Sequence, residues 1–151
     1  MMGNKIQILP LTRESLTELR SSKMNHFLMD LDRTYQGELL DLVEEDLSYT
    51  ISVNDDIIAA SGMKRIWGNV AEGWVIATEK ANQYPLVVAR AIKKHFANVA
   101  KRNGIKRVQT AVRADFGLGI RFAGWLGLEN EGLMKNYGFD NSDHYRYARI
   151  F

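Results

Sequence analysis

Few side chains in this 151-residue sequence suggest chemistry on their own. There is no cysteine, which removes disulfides and thiolate metal sites and fits a reducing compartment. His26, His95 and His144 are too scattered to predict a metal site, and no serine, histidine and acid arrangement can be read from spacing. What the spacing does offer is a place for an anion. Trp74-Val75-Ile76-Ala77, rich in β-branched and aromatic residues, predicts a strand over 70–78. Pro85 then stands where a first helical residue belongs, because its fixed φ suits a helix start and its missing N–H would have had no partner there. The free N–H groups of that first turn point past the strand end, where a phosphate is favoured. Arg113, at the end of a later strand, and Arg121 are the cations that could meet one.

The elements that position this junction follow from periodicity. Val88, Ile92, Phe96 and Val99 recur at three- and four-residue spacing, while Arg90, Lys93, Lys94 and Lys101 fall off that stripe. Asn103-Gly104 stops the helix. Val108, Thr110 and Val112 alternate with Arg107, Gln109 and Arg113 in the next strand, over 106–112, so strand, helix and strand imply a right-handed crossover between parallel neighbours.

Upstream, Ile6, Ile8 and Leu9 make a strand ended by Pro10, and Thr12 caps a helix with Leu16 and Leu19 on one face. Met24, Phe27, Leu28 and Leu31 suggest another helical piece, and Leu39 to Val43 a third. Strands over 47–53 and 57–64, joined by the turn Asn54-Asp55-Asp56, run into the strand at Val70 as an antiparallel meander. Downstream, Asp115 is placed to cap a glycine-weakened helix best defined over 120–126. Two strands, 129–135 and 144–150, complete the chain, bridged by 137–142.

Residues 1–151 are expected to form one domain, long enough to bury about two-thirds of the unfolded surface. Neither a signal peptide nor a membrane span is expected, and the reading is cytoplasmic. The net charge of +2 is unevenly spread: residues 1–60 carry five Lys or Arg against eleven Asp or Glu, and residues 61–151 fifteen against seven. Such faces suit a phosphate-bearing ligand toward the C-terminal part and a cationic acceptor toward the N-terminal part. General nucleic-acid binding is not expected, because no basic run is present and the overall charge is small.

The element order, with Ile8-Leu9-Pro10-Leu11-Thr12-Arg13-Glu14 and Arg121-Phe122-Ala123-Gly124-Trp125-Leu126-Gly127-Leu128-Glu129-Asn130-Glu131-Gly132, resembles the GNAT superfamily of acyl-coenzyme-A-dependent N-acetyltransferases. Trp74-Val75-Ile76-Ala77-Thr78, the long basic helix and Ile120-Arg121-Phe122 before Leu126-Gly127 are similar to GNAT-related proteins of tailed phages, which include an internal virion protein.

The resemblance implies an α/β (α+β) fold: a mixed, mostly antiparallel sheet of about seven strands flanked by helices and splayed at the central parallel pair. It also implies direct acetyl transfer from acetyl-coenzyme A to an amine acceptor, a small molecule or a protein, in the groove between Ile76 and Pro85. Val75, Ile76 and Ala77 correspond to the pantetheine-pairing strand. Lys80, Asn82, Gln83, Tyr84 and Arg113 are the candidates for the rest of the cofactor, Lys80 as a substitute cation in the glycine-free loop 79–84.

Glu72 is the implied general base, with Glu79 weaker. The family's acid tyrosine falls on Ala123, which leaves the role empty or with Tyr84 or Tyr137; Tyr137 is taken as the candidate. Tyr137, Tyr145, Tyr147 and Trp125 otherwise suit packing or an interface, and a homodimer is compatible. The alternative is a catalytically degenerate phage protein on this fold, virion-associated or binding a host factor.

Overall fold

The computed structural model describes residues 3–21 and 44–151. The helical pieces expected around 24–31 and 39–43, and His26 with them, lie outside the described residues. Within them run β1 (Ile6–Pro10), α1 (Arg13–Ser21), β2 (Ser48–Val53), β3 (Asp56–Trp67), β4 (Val70–Ala77), α2 (Pro85–Arg102), β5 (Arg107–Arg113), α3 (Gly117–Trp125), β6 (Glu129–Met134) and β7 (His144–Ile150). Short 3-10 turns lie at Glu45–Leu47 and Glu79–Gln83.

The seven strands make one sheet in the order β1-β2-β3-β4-β5-β7-β6. Neighbours are antiparallel except β4 and β5, the parallel pair that the crossover through α2 requires.

Local chemistry explains the punctuation. Thr12 and Ser15 cap α1 reciprocally: the Ser15 N–H donates to Thr12 Oγ1 at 3.1 Å and the Thr12 N–H to Ser15 Oγ at 2.8 Å. Asn54 and Asp55 both take positive φ, 51° and 69°, the backbone of a tight hairpin whose right-handed twist matches its strands. At the far end of α2 the Ile105 N–H returns to the Ala100 carbonyl at 2.9 Å around Gly104, whose φ is +69°.

Two helical layers sandwich the sheet. Ile92, Phe96 and Val99 of α2 and Ala123 of α3 pack on Ala71, Ala77 and Val108 on one face. On the other, Leu16 and Leu19 of α1 join Leu11 over Ala60, Trp74 and Ile76. Leu16 and Leu19 are at most 2 % exposed, and burial of each is worth about 1.5–3 kcal/mol.

The start of α3 differs from expectation. Phe116, not Asp115, occupies the N-cap position and no side chain caps the helix. Arg113 Nε lies 3.1 Å from Asp115 Oδ1, so that carboxylate is engaged away from the helix. A Cβ on Gly119 would stand 2.4 Å from the Phe116 ring, so packing requires that glycine in spite of its helical cost.

Candidate active site

Pairing between β4 and β5 stops at Glu72 opposite Gln109, and beyond that point the strands part. Between them opens a cavity of about 580 Å³, lined by Gly73, Val75 and Ala77 of β4, Pro85, Val88 and Ile92 of α2, Thr110 and Val112 of β5, and Phe116, Phe122 and Leu126 beside α3. Its walls are mostly apolar, as small-molecule sites generally are.

The hydrogen-bond phase of β4 decides which main-chain groups face this space. The Thr78 N–H bonds the Ile58 carbonyl at 2.9 Å. Ile76 opposite Ala60, and Trp74 opposite Gly62, share that phase. Alternation in an antiparallel ladder then turns the N–H and C=O groups of Gly73, Val75 and Ala77 away from β3; the Gly73 N–H still serves the last rung to β5, and the groups beyond it face the cleft. Ile76 does not line the groove as expected. Its side chain is 1 % exposed on the α1 face, and its main-chain groups are committed to β3.

Glu72 sits where the strands begin to part. Its carboxylate meets Arg146 Nη1 at 3.3 and 3.4 Å and accepts from Gln109 Nε2 at 3.3 Å. Burial pushes the Glu72 pKa above its ordinary value, with Arg146 first and Gln109 next working against that rise. A carboxylate held up by burial but still tied to a cation has the character of a general base.

Tyr137 reaches the same cavity from the β6–β7 loop. Its ring meets His144 edge-on at 5.3 Å, and the Arg146 guanidinium lies 5.7 Å from its centroid. Arg146 therefore stands against both Glu72 and Tyr137.

The loop carrying Tyr137 is built, not slack. The Asn136 N–H donates to Asp143 Oδ1 at 3.0 Å, the Gly138 N–H to the Ser142 carbonyl at 3.0 Å, and the Ala114 N–H to the Asp143 carbonyl at 2.9 Å. Arg113 ties it to the end of β5, with Nη1 2.9 Å from Asp140 and Nε on Asp115, whose carboxyl it holds below the usual range. Arg113 lines the cleft, but two carboxylates already engage its guanidinium. That placement makes it a clamp on the loop in place of the expected phosphate contact.

The four residues expected around the phosphates are divided. Asn82 lines the large cleft. Lys80, Gln83 and Tyr84 line a separate depression of about 140 Å³ with Val53, Asn54, Asp56 and Ile58. Lys80 Nζ is 3.1 Å from Asp56, so it does not serve as a cation in the cleft. The glycine-free stretch closes on itself: the Ala81 N–H donates to the Thr78 carbonyl at 3.1 Å and the Tyr84 N–H to the Ala81 carbonyl at 3.0 Å.

Pro85 occupies the first position of α2 and the Val88 N–H is bonded to the Tyr84 carbonyl at 3.1 Å. This leaves the N–H groups of Leu86 and Val87 without a carbonyl inside the helix. The cleft therefore fits the thioester and pantetheine portion of coenzyme A, with β4 main chain on one wall and α2 on the other. Its pyrophosphate end offers a helix terminus with two donors and no glycine loop. Among the described residues no group of histidines and carboxylates could hold a metal ion, and no helix is long and apolar enough to cross a membrane.

Sequence reasoning missed Arg146, Gln109 and His144. Alternation along His144-Tyr145-Arg146-Tyr147 separates Arg146 from the tyrosines, but only the β5–β7 pairing brings it to Glu72.

This sheet order, parted at its one parallel pair, is the GNAT fold. No family model matches the sequence and no curated protein matches it. Solved structures do. The ribosomal-protein-S18-alanine N-acetyltransferase of Escherichia coli superposes with a TM-score of 0.76 at 18 % identity, over 97 % of this chain and 94 % of that one. A GCN5-related N-acetyltransferase from Kribbella flavida gives 0.71 at 14 % identity, over 97 % and 98 %. A spermidine N-acetyltransferase variant from Vibrio cholerae gives 0.71 at 14 % identity, over 96 % and 93 %. Likeness at these identities is likeness of fold.

Proposed function

We propose that the chain is an N-acetyltransferase that moves the acetyl group of acetyl-coenzyme A directly to an amine. The observation that carries this reading is the parted β4–β5 pair, which leaves main-chain groups of Gly73, Val75 and Ala77 facing an apolar cavity with Glu72 at its apex. Acetyl-coenzyme A, when bound there, supplies an activated acyl group. The N–H and C=O groups of Val75 and Ala77 hold and orient the pantetheine amides, and the apolar wall of α2 excludes water.

Glu72 accepts the proton that the acceptor ammonium must lose before its nitrogen can attack, directly or through one water. Tyr137 donates a proton to the departing sulfur and regains one from the nitrogen as it becomes an amide, directly or through water, a role that Ala123 on α3 cannot fill. Arg146 favours the ionised form of Glu72 against the rise that burial causes. The small donor set at Leu86, Val87 and Asn82 meets the phosphates.

Because the chain has no cysteine, thiol release can be read without background from the protein. With acetyl-coenzyme A and a panel of amines, release above the uncatalysed rate, lowered at least about 100-fold by Glu72→Gln, is the expected result. Absence of release with every amine would contradict the reading.

A second reading has its own support. The self-bonded turn at Glu79–Gln83 and the alanine at position 123 favour a protein that keeps the fold without the chemistry, and the resemblance to phage proteins would place it in a virion or on a host factor.

A further inference from the structure

Residues 84–128 carry nine Lys or Arg and one acid, Asp115. The chain's net charge of +2 hides this, because the compensating carboxylates lie in other segments. Folding concentrates part of the excess into a stripe. Arg90, Lys94 and Lys101 are exposed, and at about 100° per residue they lie within about 40° of one another, opposite the buried Ile92, Phe96 and Val99.

The helical rise spaces the three by about 6 and 10 Å along the axis. None of them has an acidic partner among the described residues. The neighbouring His95 is lowered from its ordinary pKa by burial first and then by Lys94 and Arg102, which agrees with an uncompensated positive potential there. At the edge of the stripe Trp125 is 41 % exposed, with Lys93 Nζ 4.4 Å from its ring centroid.

We propose that this outer face of α2, with Trp125 at its rim, docks on the phosphodiester backbone of a nucleic acid. Leu86, exposed one turn before Arg90, is the one large apolar side chain on this face, too little to anchor it in a lipid surface, and no aromatic side chain stands at its centre for a protein partner. Cations one and two turns apart on one face suit phosphates, and an exposed indole suits a stacked base. The face lies outside the β4–β5 cleft, so the inference does not depend on what happens there.

The test is fluorescence anisotropy with labelled single-stranded DNA and RNA of about 20 nucleotides, and with the DNA duplex. Three phosphate contacts predict a loss of affinity of about 20- to 40-fold between 50 and 200 mM NaCl. The combined substitution Arg90→Gln, Lys94→Gln and Lys101→Gln is expected to weaken binding at least about 10-fold at low salt and to reduce the salt slope by about two for single strands and nearly three for the duplex. These side chains are exposed, so the thermal midpoint should not move. Arg13→Gln, on α1, should leave binding unchanged. No binding by the native chain at low salt, equal binding by the triple variant, or binding confined to phosphatidylserine vesicles would each overturn the proposal.

Discussion

Replacing Arg146 by Met should drive the Glu72 midpoint higher still. The two side chains are 20 % and 21 % exposed and 3.3 Å apart at closest approach. At an effective dielectric constant near 20 a pair at about 4 Å interacts by at most about 4 kcal/mol. Charge spread over the guanidinium and the partial exposure reduce this, and the expected result is a further rise of the Glu72 midpoint.

The sign also governs stability. A carboxyl raised in the folded state contributes stability that is fully present below its unfolded pKa and fades as pH rises through the folded value. Glu72 is raised already, and losing Arg146 raises it more. The variant should therefore lie closest to the native protein at pH 4, apart from lost packing, and fall progressively behind it as pH rises toward 7. Urea unfolding at the two pH values measures the difference, and the carbon-13 resonance of the Glu72 carboxyl, assigned with Glu72→Gln, measures the midpoint. A midpoint that stays or falls in the Arg146→Met protein would refute the reasoning, whatever the protein's activity.

Other outcomes follow from single contacts. Gly119→Ala should cost on the order of 1–3 kcal/mol in urea unfolding, because its Cβ would overlap the Phe116 ring, whereas Gly124→Ala, with nothing within 4 Å, should gain about 0.5–1 kcal/mol. Tyr49 Oη is buried with no well-formed hydrogen bond, and burial pushes its pKa up to about 12 with the Ser61 hydroxyl, itself donating to the Trp74 carbonyl, working against that rise; Tyr49→Phe should therefore leave the thermal midpoint unchanged or raise it, and a clear fall would reveal a strong bond to Ser61. Lys80→Ala should leave acetyl-coenzyme A affinity within about twofold in calorimetry, since Asp56 already engages that ammonium, and a larger loss would place Lys80 at the phosphates after all.

Much of the fold could be read from the chain because its signals are local. Pro85 at a helix start, the stripe through Ile92 and Phe96, Asn54-Asp55 at a hairpin and Gly104 after a helix each act within a few residues of themselves. Resemblance, not periodicity, supplied the parting of β4 from β5.

The site was less legible because distant contacts settle it. Lys80 turns to Asp56 across the β3–β4 hairpin, Arg113 is taken by Asp140, and Arg146 reaches Glu72 from a strand 74 residues on. Asp115 was misplaced as a cap because a nearby guanidinium outcompetes the backbone N–H groups that an N-cap residue would satisfy.

The central claim is that the parted strands hold acetyl-coenzyme A, and isothermal titration of the native chain and of Ala89→Trp, whose indole would fill the cleft, tests it most directly. The account predicts saturable binding to the native chain with a Kd in the micromolar range, about −8 kcal/mol, and at least about tenfold weaker binding to a folded Ala89→Trp. No heat from the native chain at millimolar ligand, with no shift in its thermal midpoint, would contradict it.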